Sequence, residues 1–346
     1  MNEPGRSNRH LAHADEVREA VESVSLAASS ALAASWRRSL HYYQLDPEKR
    51  TPPDRVNEAV LRQARERLGR LAKIAAPTLE RLLRAVGRSG CSVLLTDSEG
   101  LVVERRGMAG DDQAFAEMGL WAGVNWSEGN EGTNGIGTCL VEQRPVVIHR
   151  DQHFYTRNTE MSCIGVPLFD AHARLAAVLD VSSCRGELSE DLTFLIATVV
   201  SDAAHRIEGD NFRAAFPSCR IVMAPAQGHQ GSALLAVDSY DLVVGATRAA
   251  RQTLRLTDDI LAAGRPLPDV LTNSKQTSDL RAAERAELQR ALARSDGNVS
   301  AAARDLGIGR ATLYRRMKRL GLAEGPAATR VGTEPGAGVP LQLSHN

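Results

Sequence analysis

Residues 130–140 read NEGTNGIGTCL, with glycines at 132, 135 and 137 among two threonines and an asparagine. Glycine-rich runs of this kind can wrap a phosphate, but this one lacks the terminal Lys-Ser/Thr pair that would hold the β- and γ-phosphates and Mg²⁺. A dinucleotide fingerprint is also absent, because no glycine follows Gly137 at the required spacing. The run therefore argues against a nucleotide-using enzyme. It favours a sensor-domain loop that folds over a pocket, with Asn134 and Thr138 offering polar contacts.

Two histidines and an aspartate, His149, Asp151 and His153, form an H-x-D-x-H pattern at a strand end. Three such groups could bind a metal, or His153 could point into a ligand pocket. Loop histidines that are hydrogen-bonded or solvent-facing are more common than ligands, so we expect neither a metal nor a cofactor.

The five cysteines are odd in number, widely spaced and without a C-x-x-C pair. This usage indicates reduced packing thiols, with no disulfide framework and no zinc site. Cys139 and Cys163 could lie near a pocket and react with oxidants, but no basic neighbour in sequence is placed to lower the thiol pKa.

The chain of 346 residues is long enough for two or three domains. No apolar run approaches the roughly 18 to 20 residues needed to span a bilayer, and the first residues are polar where a secretory signal would be apolar. We therefore expect a cytoplasmic protein with no membrane partner.

The net charge is zero, but the charges are segregated along the chain. Residues 281–320 contain ten Arg or Lys against four Asp or Glu, whereas residues 91–210 contain eight basic against nineteen acidic residues. Such segregation suggests that one part meets a polyanion and the other does not.

The elements that position these residues are predicted from periodicity. Residues 1–17 are predicted to be disordered, and residues 18–88 to form helices leading into a sensor, the first stopped by Pro47 and the second capped by Asp54. Residues 89–210 are predicted to form an α+β sensor domain, with strands at 92–96, 101–104, 145–149, 162–169 and 175–181 and a helix at 189–208. The amphipathic flanking helices either dimerise or pack on their own sheet, and the sequence leaves both open.

A shorter α+β module is predicted over residues 211–272, with strands at 220–223, 233–237 and 242–245 and a helix at 247–256. A polar linker at 273–279 then leads to an all-α unit at 280–325, and a Pro/Gly/Thr-rich tail at 326–346 is predicted to be disordered.

The last unit has helix-turn-helix geometry, with helices at 280–294, 299–307 and 310–322 and a turn at Gly307-Ile308-Gly309. Leu313, Met317 and Leu320 share one face of the third helix and should dock on the other two. The opposite faces carry polar and basic side chains suited to DNA bases and phosphates: Arg310, Thr312, Arg315, Arg316, Lys318 and Arg319. An arginine-rich helix is often only a solvated face, but the spacing, the turn and the local positive charge together favour DNA binding.

The stretch GNVSAAARDLGIGRATLYRRMKRLGL resembles the Fis-type helix-turn-helix at the end of many bacterial enhancer-binding regulators. By that resemblance, Arg310 and Thr312 contact DNA early in the recognition helix, Arg315 and Arg316 follow, and the segment from Asn298 to Ser300 touches the backbone. Binding to inverted half-sites, and hence a homodimer, is implied as well.

The middle of the chain resembles the GAF-type sensor half of acetoin-regulator-like transcription factors. The resemblance covers roughly residues 35–210 and is carried, in order, by SWRRSLHYYQLDP, WSEGNEGTNGIGTCL, RPVVIHRDQHF and SCIGVPLFDAHARLAAVLDVSS. The following SALLAVDSYDLVVGATRAARQTL is similar to the first part of a PAS module, but shorter than a complete one. The family typically carries an AAA+ ATPase between sensor and DNA-binding unit, and here only the short module and linker intervene. We therefore expect no ATP hydrolysis and no independent remodelling of the sigma-54 polymerase.

The sequence thus predicts a one-component transcription regulator that binds double-stranded DNA as a homodimer, with RNA polymerase as a further partner. The alternative is an adaptor that dimerises with a full-length AAA+ relative and modulates it. The residues expected to line a pocket for a small-molecule effector are Trp121, Trp126, Asn134, Ile136, Thr138, His153, Phe154 and Cys163.

Overall fold

A computed structural model describes residues 4–22, 30–184, 188–225, 232–272 and 280–322. The chain divides into two compact units, Met1–Ser274 and Lys275–Asn346. Within the described residues, the first unit contains two antiparallel sheets with helices, and the second contains three helices. The predicted α+β fold of the first unit and all-α fold of the second are therefore confirmed.

The helices of the first unit are α1 (Pro4–Glu22), α2 (Ala31–Arg37) with a π-helical turn (Arg38–Tyr42), α3 (Glu58–Val86), α4 (Asp112–Glu117), α5 (Glu128–Glu131), α6 (Gly135–Glu142), α7 (Glu190–Ala215), α8 (Arg248–Leu254), α9 (Asp258–Ala262) and α10 (Leu267–Thr272). Its strands are β1 (Cys91–Thr96), β2 (Val102–Arg106), β3 (Val146–His149), β4 (Ser162–Phe169), β5 (Leu175–Ser183), β6 (Arg220–Met223), β7 (Leu234–Val237), β8 (Leu242–Ala246) and β9 (Arg265–Pro266). The second unit consists of α11 (Leu280–Arg294), α12 (Val299–Asp305) and α13 (Arg310–Arg319).

The large sheet has the strand order β2-β1-β5-β4-β3, and every neighbouring pair is antiparallel. Because side chains alternate along a strand, each strand contributes to both faces. On β1, Val93 and Leu95 pack with α3 and α7, whereas Leu94 faces the layer that contains α4 and α6. The sheet is thus covered on both faces, which explains the nearly continuous apolar run of β1 and β4.

Three hairpin turns in the first unit, β1–β2, β4–β5 and β7–β8, begin with an aspartate that fixes them. Asp97 Oδ1 accepts hydrogen bonds from the backbone N–H groups of Glu99 (2.9 Å) and Leu101 (3.0 Å). Asp170 and Asp238 make the same pair of bonds two and four residues further on. The first two turns lie between strands that the sequence predicted, and an aspartate at the start of a turn can satisfy the turn backbone locally.

The long helix α3 is broken at Gly69, whose φ of +45° and ψ of −109° lie outside the helical region. Glycine adopts a positive φ without the steric cost that a Cβ imposes. The helix begins with Asn57 as its cap, which accepts from Val60 N at 3.0 Å. The predicted cap at Asp54 is therefore wrong by three residues, since Asn57 is an equally good cap closer to the apolar stripe.

The expected disorder over residues 1–17 is also wrong for the described part of that segment, which belongs to α1. Val17 and Val21 are buried against Trp36 and Phe154, so α1 is held by apolar contacts that the polar sequence around it obscures. Arg18 adds an ion pair with Glu48 at 2.7 Å.

The smaller sheet has the order β6-β7-β8-β9. Strands β6, β7 and β8 lie within one residue of their predicted positions, whereas the short β9 was not predicted. The linker at 273–279 and the tail at 326–346 lie outside the described residues. Within the described ranges, no helix combines the length and apolar content needed to cross a bilayer.

Candidate effector site and DNA-binding interface

Most of the glycine-rich run is helical, because it contains the end of α5 and the start of α6. Asn134 caps α6, because its Oδ1 accepts from the backbone N–H groups of Ile136 and Gly137, both at 2.9 Å. Its Nδ2 donates to the carbonyls of Gly132 (2.8 Å) and Trp126 (3.0 Å). The expectation of a loop was wrong for residues 135–140, because an asparagine cap followed by apolar residues begins a helix.

The glycines of this run permit close packing of α6. A Cβ at Gly135 would lie 2.6 Å from Cys163 Cβ and 2.8 Å from Asp180 Oδ1. A Cβ at Gly137 would lie 2.7 Å from the Trp126 carbonyl. The small residues therefore let α6 rest directly on the sheet and on α5, which is a packing role rather than phosphate binding.

A buried carboxylate, Glu128, joins the N-terminal helices to the sensor domain. Arg38 donates to it twice, from Nε to Oε2 at 2.8 Å and from Nη2 to Oε1 at 3.0 Å. Ser35 and Thr138 also donate to Oε1. The hydrogen bond to Glu128 raises the pKa of Arg38, against the opposing effect of burial. The SWRRS and EGTNGIGT motifs, far apart in sequence, therefore meet in one polar network.

A second acid, Asp180, lies fully buried on β5 beneath α6. Its Oδ2 accepts from Ser182 Oγ at 2.5 Å, while its Oδ1 has no hydrogen-bond partner among the described residues. Burial raises the pKa of Asp180 to about 7, and the hydrogen bond from Ser182 opposes that shift. This carboxyl therefore titrates near neutral pH, which is unusual for an aspartate.

His153 and Cys163 form a buried pair, with His153 Nε2 3.3 Å from Cys163 Sγ. Burial lowers the pKa of His153 to about 4, so its ring is neutral at pH 7. Its Nδ1 lies 2.9 Å from the Arg150 carbonyl and donates to it, which leaves Nε2 to accept from the thiol. Burial also raises the pKa of Cys163 and Cys139, so neither thiol is activated for reaction with oxidants.

The predicted effector residues divide into three places. Those gathered around α6 and the sheet beneath it are Trp126, Asn134, Ile136, Thr138, Cys163 and His153. Phe154 instead packs with Val17 and Trp36 of the N-terminal helices. Trp121 is half-buried and stacks on the Arg105 guanidinium, with 4.4 Å between Cζ and the ring centroid.

All of these residues except Trp121 are buried and contact one another or backbone groups. A ligand reaching them would have to displace protein atoms. Their role in effector binding stays a prediction.

The H-x-D-x-H pattern is not arranged as a metal site. His149 Nδ1 lies 2.8 Å from Ser162 Oγ, and His153 is occupied by Arg150 and Cys163. Across the part of the chain that the structure describes, no three His, Cys, Asp or Glu side chains are placed to hold a metal ion together.

In the second unit, α13 docks through the face that the sequence predicted. Leu313, Met317 and Leu320 are buried with side chains from α11 and α12. The opposite face of α13 is exposed and carries five of the ten basic residues in the described part of the unit. The geometry is that of a helix-turn-helix presenting its third helix to solvent.

The basic side chains of α13 are not equivalent. Arg319 lies 2.6 Å from Glu284 of α11, and Arg316 lies 3.3 Å from the same carboxylate. Arg315 instead donates to Thr312 Oγ1 at 3.5 Å, and Arg310 lies over the Tyr314 ring. Arg316 and Arg319 are therefore held toward α11, whereas Arg310 and Arg315 contact side chains of α13 itself, and contact with DNA at all of these residues stays a prediction. Lys318 is exposed.

The predicted backbone contacts lie at the start of α12. Asn298 caps that helix, with Oδ1 accepting from the backbone N–H groups of Ser300 (3.0 Å) and Ala301 (3.1 Å). Ser300 is half-buried in the first turn. The Asn298 oxygen is thus used within the protein, and contact with DNA at these two residues stays a prediction.

Comparison with protein families matches the GAF domain model to residues 70–207 and the model of the bacterial regulatory protein Fis family to residues 279–320. The chain combines a GAF domain with a Fis-type helix-turn-helix. Residues 208–278, between the two matches, are too few for an AAA+ domain. The resemblance stated from the sequence motifs is confirmed for both domains.

Its homologues include acetoin regulators. The chain is 34% identical over 224 residues to the acetoin catabolism regulatory protein of Cupriavidus necator, covering 64% of this chain and 34% of that protein. It is 29% identical over 175 residues to the acetoin dehydrogenase operon transcriptional activator AcoR of Bacillus subtilis, covering 51% and 29%. The chain thus spans about a third of the length of these curated relatives.

Among solved structures, the E. coli DhaR(N)-DhaL complex is similar, with a TM-score of 0.48 and 17% identity over 69% of this chain and 80% of that chain.

Arg38, Glu128 and Asp180 were not singled out from the sequence. All three stand inside the motifs that carry the GAF resemblance, but the pairing of Arg38 with Glu128 had no signal in the sequence. Asp180 lies in an apolar strand, and a charged residue there could have been singled out because lone carboxyls are rarely fully buried.

Proposed function

We propose that the chain is a cytoplasmic one-component transcription regulator that binds operator DNA as a dimer and responds to a small effector. The observation that carries this proposal is the exposed basic face of α13 in a unit that matches the Fis family. Arg310, Thr312 and Arg315 read base edges in the major groove, while the remaining basic residues hold phosphates.

Dimerisation is supported by α7, which leaves apolar side chains in solvent. Phe194 is 77% exposed, Leu195 is 60% exposed, and Val199 lies further along the same helix at 36%. Contiguous exposed apolar side chains mark contact surfaces more often than isolated ones do. Packing of α7 against its copy in a second chain buries these residues and gives the two-fold symmetry that inverted half-sites require.

The effector acts by binding one arrangement of the dimer more tightly than another. It needs only a differential affinity for the two arrangements to change the spacing of the recognition helices. The proteins named above are regulators of acetoin catabolism and an acetoin dehydrogenase operon, which supports a small organic molecule as the effector.

The regulator acts without ATP hydrolysis. The sequence contains no G-x-x-x-x-G-K-[ST] phosphate loop, so no residues are supplied for nucleotide phosphates and Mg²⁺. Control of transcription then comes from occupancy of the operator, or from direct contact with RNA polymerase, rather than from remodelling of the polymerase.

Footprinting of the purified protein on the upstream region of its own gene tests the proposal. A protected inverted repeat that survives excess competitor DNA at physiological salt is the expected result. If excess competitor DNA abolishes protection of the upstream region, direct regulation is contradicted and the adaptor hypothesis is favoured.

A further inference from the structure

An open groove with a volume of about 840 Å³ lies between α3 and β2, away from the predicted effector cluster. Its apolar surface includes Ala72, Val103 and Trp121. Five of its charged lining residues are basic and two are acidic. Four of the basic side chains, Arg62, Arg65, Arg105 and Arg106, are ion-paired with carboxylates, whereas Lys73 has no carboxylate partner among the described residues. Lys73 and Arg62 stand at its exposed side.

The break in α3 shapes this groove. Gly69 is one of the lining residues, and a Cβ added to it would meet no atom within 4 Å. A regular helix would continue through this point without interruption. The non-helical backbone of Gly69, with its positive φ, interrupts α3 where it lines the groove.

Arg105 is the buried polar group of the groove, since its side chain is only 8% exposed. Its guanidinium lies between the rings of Trp121 (4.4 Å) and Phe115 (4.9 Å) and donates to Asp112 (2.7 Å) and Ser92 (2.9 Å). Its Nε is buried and has no hydrogen-bond partner among the described residues. The ring contacts and hydrogen bonds hold the Arg105 side chain in place behind Trp121, so that it supports the apolar wall of the groove.

We propose that this groove binds an amphipathic organic anion. The flat apolar part of the anion lies against Trp121 and the alanines of α3, while its carboxylate pairs with the exposed ammonium group of Lys73. Because Lys73 is the one lining cation without a carboxylate partner among the described residues, the groove matches a single negative charge, which fits a monocarboxylate better than a polyphosphate. The inference rests on the proposed function in one respect: the bound anion is the effector that the regulator senses.

Calorimetric titration of the full chain with cinnamate, a flat apolar carboxylate, tests this site, with neutral cinnamamide as the isosteric probe. Cinnamate is expected to bind at least about tenfold more tightly than cinnamamide, because the carboxylate gains charge-assisted hydrogen bonds. Lys73→Glu should weaken cinnamate binding by about tenfold or more by reversing a charge at the groove. Arg84→Glu makes the same charge change at an exposed position of α3 outside the groove, and should leave binding unchanged.

Thermal melting of both variants establishes that they are folded. No binding of cinnamate at millimolar concentration, equal affinity for acid and amide, or equal weakening by both substitutions would each overturn the inference. Operator footprinting without cinnamate tests the proposed function independently of the groove. A protein that protects its operator but binds no cinnamate refutes only the groove, whereas one that binds cinnamate without protecting an operator refutes the proposed function.

Discussion

Arg38 and Glu128 are 90 residues apart in the chain and form a two-point ion pair, with Nε–Oε2 and Nη2–Oε1 distances of 2.8 and 3.0 Å. Arg38→Ala leaves Glu128 buried without its cation, which should lower the free energy of unfolding by about 3 kcal/mol. All three tryptophans lie in the first unit, so urea unfolding followed by their fluorescence reports this change.

Arg37→Ala is the matched control, because Arg37 precedes Arg38 on the same helix but is exposed. It should change stability by less than about 0.5 kcal/mol. Equal effects of the two substitutions would show that the ion pair does not hold the N-terminal helices to the GAF domain.

Asn134→Ala should destabilise the first unit by about 2 kcal/mol, because the cap of α6 is lost and two carbonyls lose their donor. Asn57→Ala, which removes the exposed cap of α3, should cost about 1 kcal/mol or less in the same urea experiment. If Asn134→Ala instead leaves stability unchanged and abolishes the effector response, its side chain serves the ligand.

Asp180→Asn should change the pH dependence of stability. Burial raises the pKa of Asp180 from 3.8 to about 7, so the folded state binds this proton more tightly than the unfolded state. The contribution of Asp180 to stability is therefore fully present below about pH 4 and is lost as pH rises through 7. The wild-type free energy of unfolding, minus that of the variant, should fall by up to about 1.4 kcal/mol per unit between pH 5 and 7.

Other groups with shifted pKa values are present in both proteins, so their contributions cancel in the difference. Among them, burial raises the pKa of Glu208 to about 7 and lowers that of His153 to about 4. A difference that does not vary with pH would mean that Asp180 is ionised throughout.

The large elements of this fold could be predicted from the sequence because their signals are local. The strand at 162–169 and the helix at 280–294 were placed at their observed bounds, and the inward face of α13 was identified from three apolar residues at helical spacing. Periodicity and turn chemistry determine such features without reference to the rest of the chain.

The candidate site could be predicted less well, because its arrangement depends on contacts between distant segments. Asn134 was assigned a ligand-facing role from its place in a glycine-rich run, whereas its four hydrogen bonds to α6, Gly132 and Trp126 emerge only in the folded chain. Burial of α1 depends likewise on Phe154 and Trp36, which its own sequence does not reveal.

Phe194→Glu should convert a dimer into a monomer at micromolar concentration, because it places a charge in the proposed apolar contact of α7. Sedimentation velocity measures the change. Met223→Glu is the matched control, since Met223 on β6 is also 77% exposed, and it should leave the dimer intact. A monomeric wild-type protein, or dissociation by both substitutions, would place the dimer contact elsewhere or exclude it.

The central claim is that α13 reads operator DNA, and titrated footprinting of wild type, Arg315→Ala and Arg290→Ala at one fixed physiological salt concentration tests it most directly. Arg315 is exposed on α13, whereas Arg290 on α11 is paired with Glu287 and loses the same charge. Protection by the wild type, weakened about tenfold or more by Arg315→Ala and little by Arg290→Ala, is the predicted result. Equal weakening by both substitutions, or no protection of the upstream region by the wild type, would contradict the account.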